Sequence, residues 1–125
     1  MAGTIVADTI QEGAGNSTSM DNAIYGSAKA WVNFNGVTTV TINASYNVSS
    51  ITRNSAGNYT INFTNALTDA NYTITSSAEG TGTTSYCLIP YSSGGAGTAP
   101  TLKTTTQCRV VAPQDVYCGS VVFNR

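Results

Sequence analysis

Six carboxylates, three cysteines, seven tyrosines and no histidine are the side chains on which this 125-residue chain could rest proton-transfer or covalent chemistry. Without histidine the commonest general base is missing. Cleaving a glycosidic bond needs two carboxyl groups facing each other across it, yet Asp8, Glu12, Asp21, Asp69, Glu79 and Asp115 stand in no motif. Folding alone could bring Glu79 opposite Asp69 or Asp115, and the expectation is that they are solvated turn residues. No serine sits in a G-x-S-x-G elbow or has a histidine to activate it. The expectation is a chain with no catalytic residue, not an enzyme.

Cys87, Cys108 and Cys118 are odd in number and lack C-x-x-C spacing. A disulfide framework would want an even, dense set. Zinc would require all three thiolates and a carboxylate, a rare ligand set. The three are expected to be small apolar residues on strands, with no metal and no cofactor implied. Six N-x-[ST] sequons, at Asn16, Asn43, Asn47, Asn58, Asn62 and Asn71, are chance matches in so Asn- and Thr-rich a chain.

The elements that must carry these residues follow from composition. Only 9% of residues are charged, against about 25% in an ordinary soluble domain. The polarity comes instead from 20 Thr, 13 Ser and 12 Asn, which suit pleated half-exposed surfaces and turns. Lys29, Arg53, Lys103, Arg109 and Arg125 are scattered and the net charge is −1, so no basic stripe exists for nucleic acid or an anionic membrane. Residues 1–17, MAGTIVADTIQEGAGNS, have neither a basic segment nor a long apolar run, so neither a signal peptide nor a membrane span is expected. Synthesis and retention in a reducing cytosol are expected.

Residues 1–27 read as an N-terminal arm with one short strand near TIVADTI (4–10), and residues 28–125 as one domain. From residue 28 the apolar period becomes two, the strand signal. In AKAWVNFN (28–35), Ala28, Ala30, Val32 and Phe34 face inward, leaving Trp31 alone on the polar side. Asn35-Gly36 reads as a hairpin turn into VTTVTINA (37–44), with Val40, Ile42 and Ala44 on one face. YNVSSIT (46–52), NYTINFT (58–64), ANYTITSSA (70–78), SYCLIPY (85–91), TLKTTTQCRVVA (101–112) and VYCGSVVFN (116–124) read as further strands. Pro90 suits an edge strand and Gly119 a bulge; EGTGTT (79–84) and SSGGAGTAP (92–100) read as loops. About eight strands and no helix predict an all-β fold, an antiparallel β-sandwich or jelly roll.

AKAWVNFNG (28–36), SYNVSSIT (45–52) and GNYTINFTNALTDANYTI (57–74) resemble a module of tailed-bacteriophage virion proteins. It is found at tail-fibre ends and in small stand-alone structural proteins, many of them in phages of cyanobacteria and other aquatic bacteria. GTIVADTIQEGAGNSTS resembles the leader placed before such modules, and the likeness covers about residues 3–75. It implies a virion part without enzymatic activity. The chain contains no heptads or collagen-like repeat to serve as a fibre shaft. Arm plus knob therefore points to a capsid cement or decoration protein on the shell exterior, a homotrimer whose partner is the major capsid protein. Thr4, Ile5, Val6 and Ile10 would contact the capsid, and Tyr25, Trp31 and Tyr91 would lie at interfaces. The alternative is a tail-fibre or receptor-binding tip touching host-surface glycan through residues 79–84 and 92–100.

Overall fold

In a computed structural model, residues 3, 6–80, 82, 84–91 and 102–125 are described, residues 21, 22 and 25 by their backbone alone. The fold is all-β, with three antiparallel sheets. Strands β1 (Thr9–Gln11) and β2 (Ser17–Ser19) pair as a hairpin and lead into a short helix, α1 (Met20–Gly26). The body follows: β3 (Ala28–Asn35), β4 (Thr41–Tyr46), β5 (Val48–Ser55), β6 (Asn58–Phe63), β7 (Thr73–Gly80), β8 (Ser85–Tyr86), β9 (Ile89–Pro90), β10 (Gln107–Val111) and β11 (Val116–Asn124). Five strands pair in the order β4-β3-β11-β7-β8 and four in the order β5-β6-β10-β9. Their inner faces make a β-sandwich.

Strict alternation decides which side chains are enclosed. Ala30, Val32 and Phe34 of β3, Val121 and Phe123 of β11, Tyr59, Ile61 and Phe63 of β6, and Cys108 and Val110 of β10 form one core. Phe63, Tyr72 and Phe123 meet edge to face at 5.0 to 5.9 Å, as do Phe34 and Tyr59 at 5.2 Å. Such contacts add about 0.5–1.5 kcal/mol each to the roughly 1.5–3 kcal/mol of burying each side chain.

Several elements differ from the sequence expectation. The arm contains a hairpin and a seven-residue helix, where one strand and no helix were expected. Residues 36–40 form a longer connection than a two-residue turn, with the positive φ at Thr38 (57°). Within β4 a register shift opposite Asn33 and Phe34 sends Ala44 to the outer face while Ile42 stays inside. SYCLIPY is two strands in different sheets, and the chain crosses between them at Leu88, which is buried. Pro90 is nonetheless on an edge strand, β9. Residues 102–112 double back: Thr104 Oγ1 accepts the Gln107 and Thr106 amides at 3.1 and 3.3 Å, and Arg109 N–H donates to Leu102 O at 3.0 Å. Register shifts in β11 fall between Val116 and Cys118 and between Phe123 and Asn124, not at Gly119. A Cβ on Gly119 would lie 2.8 Å from the Phe34 ring, so close packing is its role.

The passage from β4 to β5, which carries the chain from one sheet to the other, turns on Asn47 (φ 55°). Its Nδ2 donates to Lys29 O and Asn65 O at 3.1 and 3.2 Å, and its Oδ1 accepts Asn65 N–H at 2.8 Å. Asparagine tolerates this left-handed backbone and its amide fills the corner. Replacing it with Ala loses both, so Asn47→Ala should lower unfolding free energy by about 2–4 kcal/mol. Asn47→Gly, which keeps the backbone, should lose less; urea denaturation of the two variants measures the difference.

Candidate interaction surfaces

Among the described side chains, Asp69 and Asp115 each bond to partners of their own and Glu79 stands on an exposed strand face. Asp115 is no solvated turn residue. It follows β10 and joins the two sheets: Arg53 donates to it through Nε (2.9 Å) and Nη2 (2.6 Å), and Gly57 N–H donates at 2.9 Å. The Tyr59 hydroxyl lies 2.9 Å from Asp115 Oδ1 and 3.1 Å from Gly36 O, and accepts the Val116 N–H at 3.1 Å. It has one proton to give, and the ionised carboxylate is the stronger acceptor. Two glycines make room. A Cβ on Gly36 would sit 2.5 Å from the Tyr59 ring, and one on Gly57 (φ 67°) 2.3 Å from Ala112 O.

The Arg53 guanidinium and the Gly57 amide hold the Asp115 carboxyl down at about 2, while burial pushes the Tyr59 hydroxyl up to about 12. These are the shifts of a structural staple: each locks its group in the protonation state the network requires. Asp69 accepts Asn71 N–H at 2.7 Å and pairs with Arg125, and Glu79 stands on the exposed side of β7. Among the described residues no three of His, Cys, Asp and Glu gather as a metal site. Cys108 is a core residue, and burial pushes its thiol up to about 11. Cys87 and Cys118 are exposed free thiols: Cys118 is on a strand as expected but points outward from β11, whereas Cys87, also expected on a strand, lies between β8 and β9 where the chain crosses sheets.

Two surfaces bear on the expected contact residues. The first is the outer face of the five-stranded sheet. Trp31 is 38% exposed and pairs across β3–β4 with Tyr46, which is 59% exposed. The row continues through Val122 and Thr75, and the next runs Ala44, Asn33, Ser120 and Ser77. Asn33 Nδ2 donates to Ser120 Oγ at 2.9 Å and its Oδ1 accepts from Asn43 Nδ2 at 2.9 Å, so the polar side chains are tied down. Tyr46, read in the sequence as the start of the strand 46–52, instead ends β4, and its partnership with Trp31 depends on the shifted β3–β4 register.

The second is the arm. Its turn is closed by Gly15 N–H to Glu12 O (2.9 Å) and Glu12 N–H to Asn16 O (3.0 Å), and Met20 N–H reaches Asp8 O at 2.9 Å. Lys29 Nζ from β3 reaches Ile24 O at the end of the helix. Apolar side chains are left outside: Val6 is 92% exposed, Ile10 50% and Ile24 49%. Of the expected contact residues, Val6 and Ile10 are therefore displayed, while Thr4, Ile5 and the side chain of Tyr25 lie outside the described residues. Tyr91 belongs to neither surface. It follows β9, donates N–H to Arg109 O at 2.8 Å and stacks under the Arg109 guanidinium at 4.5 Å.

No protein-family model, curated protein or solved structure matches the chain. No helix among the described residues is long and apolar enough to cross a membrane.

The Asp115 network has a pH signature. Its carboxyl titrates near 2 when folded and at 3.8 when free, so its contribution is complete above about pH 4 and is lost as pH falls through about 2. On the alkaline side, Tyr59 stabilises fully below pH 10, its ordinary value, and ceases to do so as pH rises through about 12. Asp115→Asn should cost about 2–4 kcal/mol at neutral pH and flatten the acid limb, as read from urea midpoints across the acid range.

Proposed function

We propose that the chain is a non-enzymatic structural protein of a tailed-bacteriophage virion, which decorates the shell exterior as a homotrimer and stiffens it. The observation that carries this reading is the arm, a self-closed hairpin and helix whose Val6, Ile10 and Ile24 are exposed. Exposed apolar side chains beside unpaired strand edges suit docking by strand addition onto a larger partner. The major capsid protein is that partner in this proposal. The resemblance of residues 3–75 to phage virion modules supports the same assignment.

The Trp31–Tyr46 face supplies the trimer contact. Only Lys29 and Glu79 bring charge to it, at its margins. Large aromatics amid small uncharged side chains are the composition of interface centres. A standard interface buries roughly 1,600 Å² in all, and many such contacts acting together would oppose the outward push of packaged DNA.

Deletion of residues 2–20 should abolish binding to purified capsids and leave a folded trimer, because the arm is held chiefly by its own hydrogen bonds. Full decoration by the truncated protein would sink the proposal. Trp31→Asp should convert the trimer to a monomer in sedimentation while the circular-dichroism spectrum stays that of the folded β-protein; an unchanged trimer would remove this face from the contact.

A further inference from the structure

The outer face of the four-stranded sheet carries an open groove of about 310 Å³. Its walls are outward-facing side chains of three adjacent strands: Thr52 and Asn54 of β5, Thr60 and Asn62 of β6, and Gln107 and Arg109 of β10, with Leu102 at one side. We propose that this groove binds a neutral saccharide of the host or particle surroundings. The site goes beyond the shell-docking proposal and uses none of its residues.

The lining chemistry selects the ligand class. A sugar hydroxyl is both donor and acceptor, and so are the groups here: three primary amides and two threonine hydroxyls. Among the described residues no carboxylate lines the groove, and Arg109 is the one cation. That guanidinium is already engaged, with Nε donating to Asn58 Oδ1 at 2.6 Å and its plane over Tyr91. A single engaged guanidinium is a poor clamp for a polyanion, which would want several free cations. Leu102 offers the apolar patch that the C–H face of a sugar ring needs.

The side chains are also placed for repetition and held in place. Thr52, Thr60 and Arg109 stand on one rung of paired residues, and Ser50, Asn62 and Gln107 on the next. The rungs are about 7 Å apart, two residues along each strand, so a ligand running along the strands meets a similar set of polar groups twice. Asn62 Nδ2 is oriented by Ser50 Oγ at 3.0 Å, and Asn54 Nδ2 by Thr60 Oγ1 at 2.9 Å and Asn58 Oδ1 at 3.2 Å. Groups fixed on strands lose little freedom when a ligand arrives. The described lining residues include none from the stretches 79–84 and 92–100, to which the sequence assigned glycan contact under the tail-fibre alternative; residues 81, 83 and 92–100 lie outside the described residues.

The test is an amide NMR titration of the isotope-labelled full chain. The probes are neutral tetrasaccharides of glucose, galactose, mannose and N-acetylglucosamine, with uronate-containing oligosaccharides alongside. At least one neutral probe should give saturable shifts of the Asn54, Asn62 and Gln107 side-chain amides. Asn62→Ala, an outward-facing change, should weaken that binding roughly tenfold, and Trp31→Ala should leave it unchanged. The proposal is overturned if no neutral probe moves those resonances, if only uronates do, or if binding is untouched by Asn62→Ala.

Discussion

The Tyr59 hydroxyl and the Asp115 carboxylate, 2.9 Å apart, hold the two sheets of this protein in one relation. Tyr59 belongs to β6 in the four-stranded sheet, and Asp115 immediately precedes β11 at the centre of the five-stranded one. Around that bond converge the Arg53 guanidinium, the Gly57 and Val116 amides and the Gly36 carbonyl. A charge so placed is stable because every oxygen is satisfied; without Arg53 it would lose its countercharge at the edge of the core, and without Tyr59 one hydrogen bond. Gly36 and Gly57 are consequences of the same bond, since any side chain at either would displace its neighbours.

With the sheets fixed, the sandwich presents two outer faces of different chemistry. One is flat, nearly uncharged and crowned by Trp31 and Tyr46. The other is a groove of amides and hydroxyls crossed by Arg109. A chain with so few charges cannot keep partners apart by electrostatics. Its selectivity must come from the shape and hydrogen-bond pattern of these faces, which strand register controls. The single extra residue in β4 decides that Ala44 and Tyr46, and not their neighbours, join Trp31 outside.

Legibility in the sequence followed locality. The stretches 28–35, 58–63 and 116–124 were readable because apolar and polar residues largely alternate, with breaks at Trp31 and across Val116–Cys118, and Trp31 was correctly placed outside. Alternation does not reveal a chain that leaves one sheet for the other, so 85–91 read as one strand although it crosses at Leu88. Threonine's strand preference hid the turn at Thr104, where its hydroxyl competes for backbone amides. Asp115 passed for a solvated turn residue because its partners lie 56 to 62 residues away. The groove was invisible for the same reason, being completed by β10, which pairs with β6 although β7, β8 and β9 lie between them in the chain.

We propose a shell-decorating role on a virion. It is tested most directly by gold-labelled antibody on intact particles under the electron microscope. Label distributed over the head is the result the account predicts. Label confined to the tail, with the head bare, would contradict it.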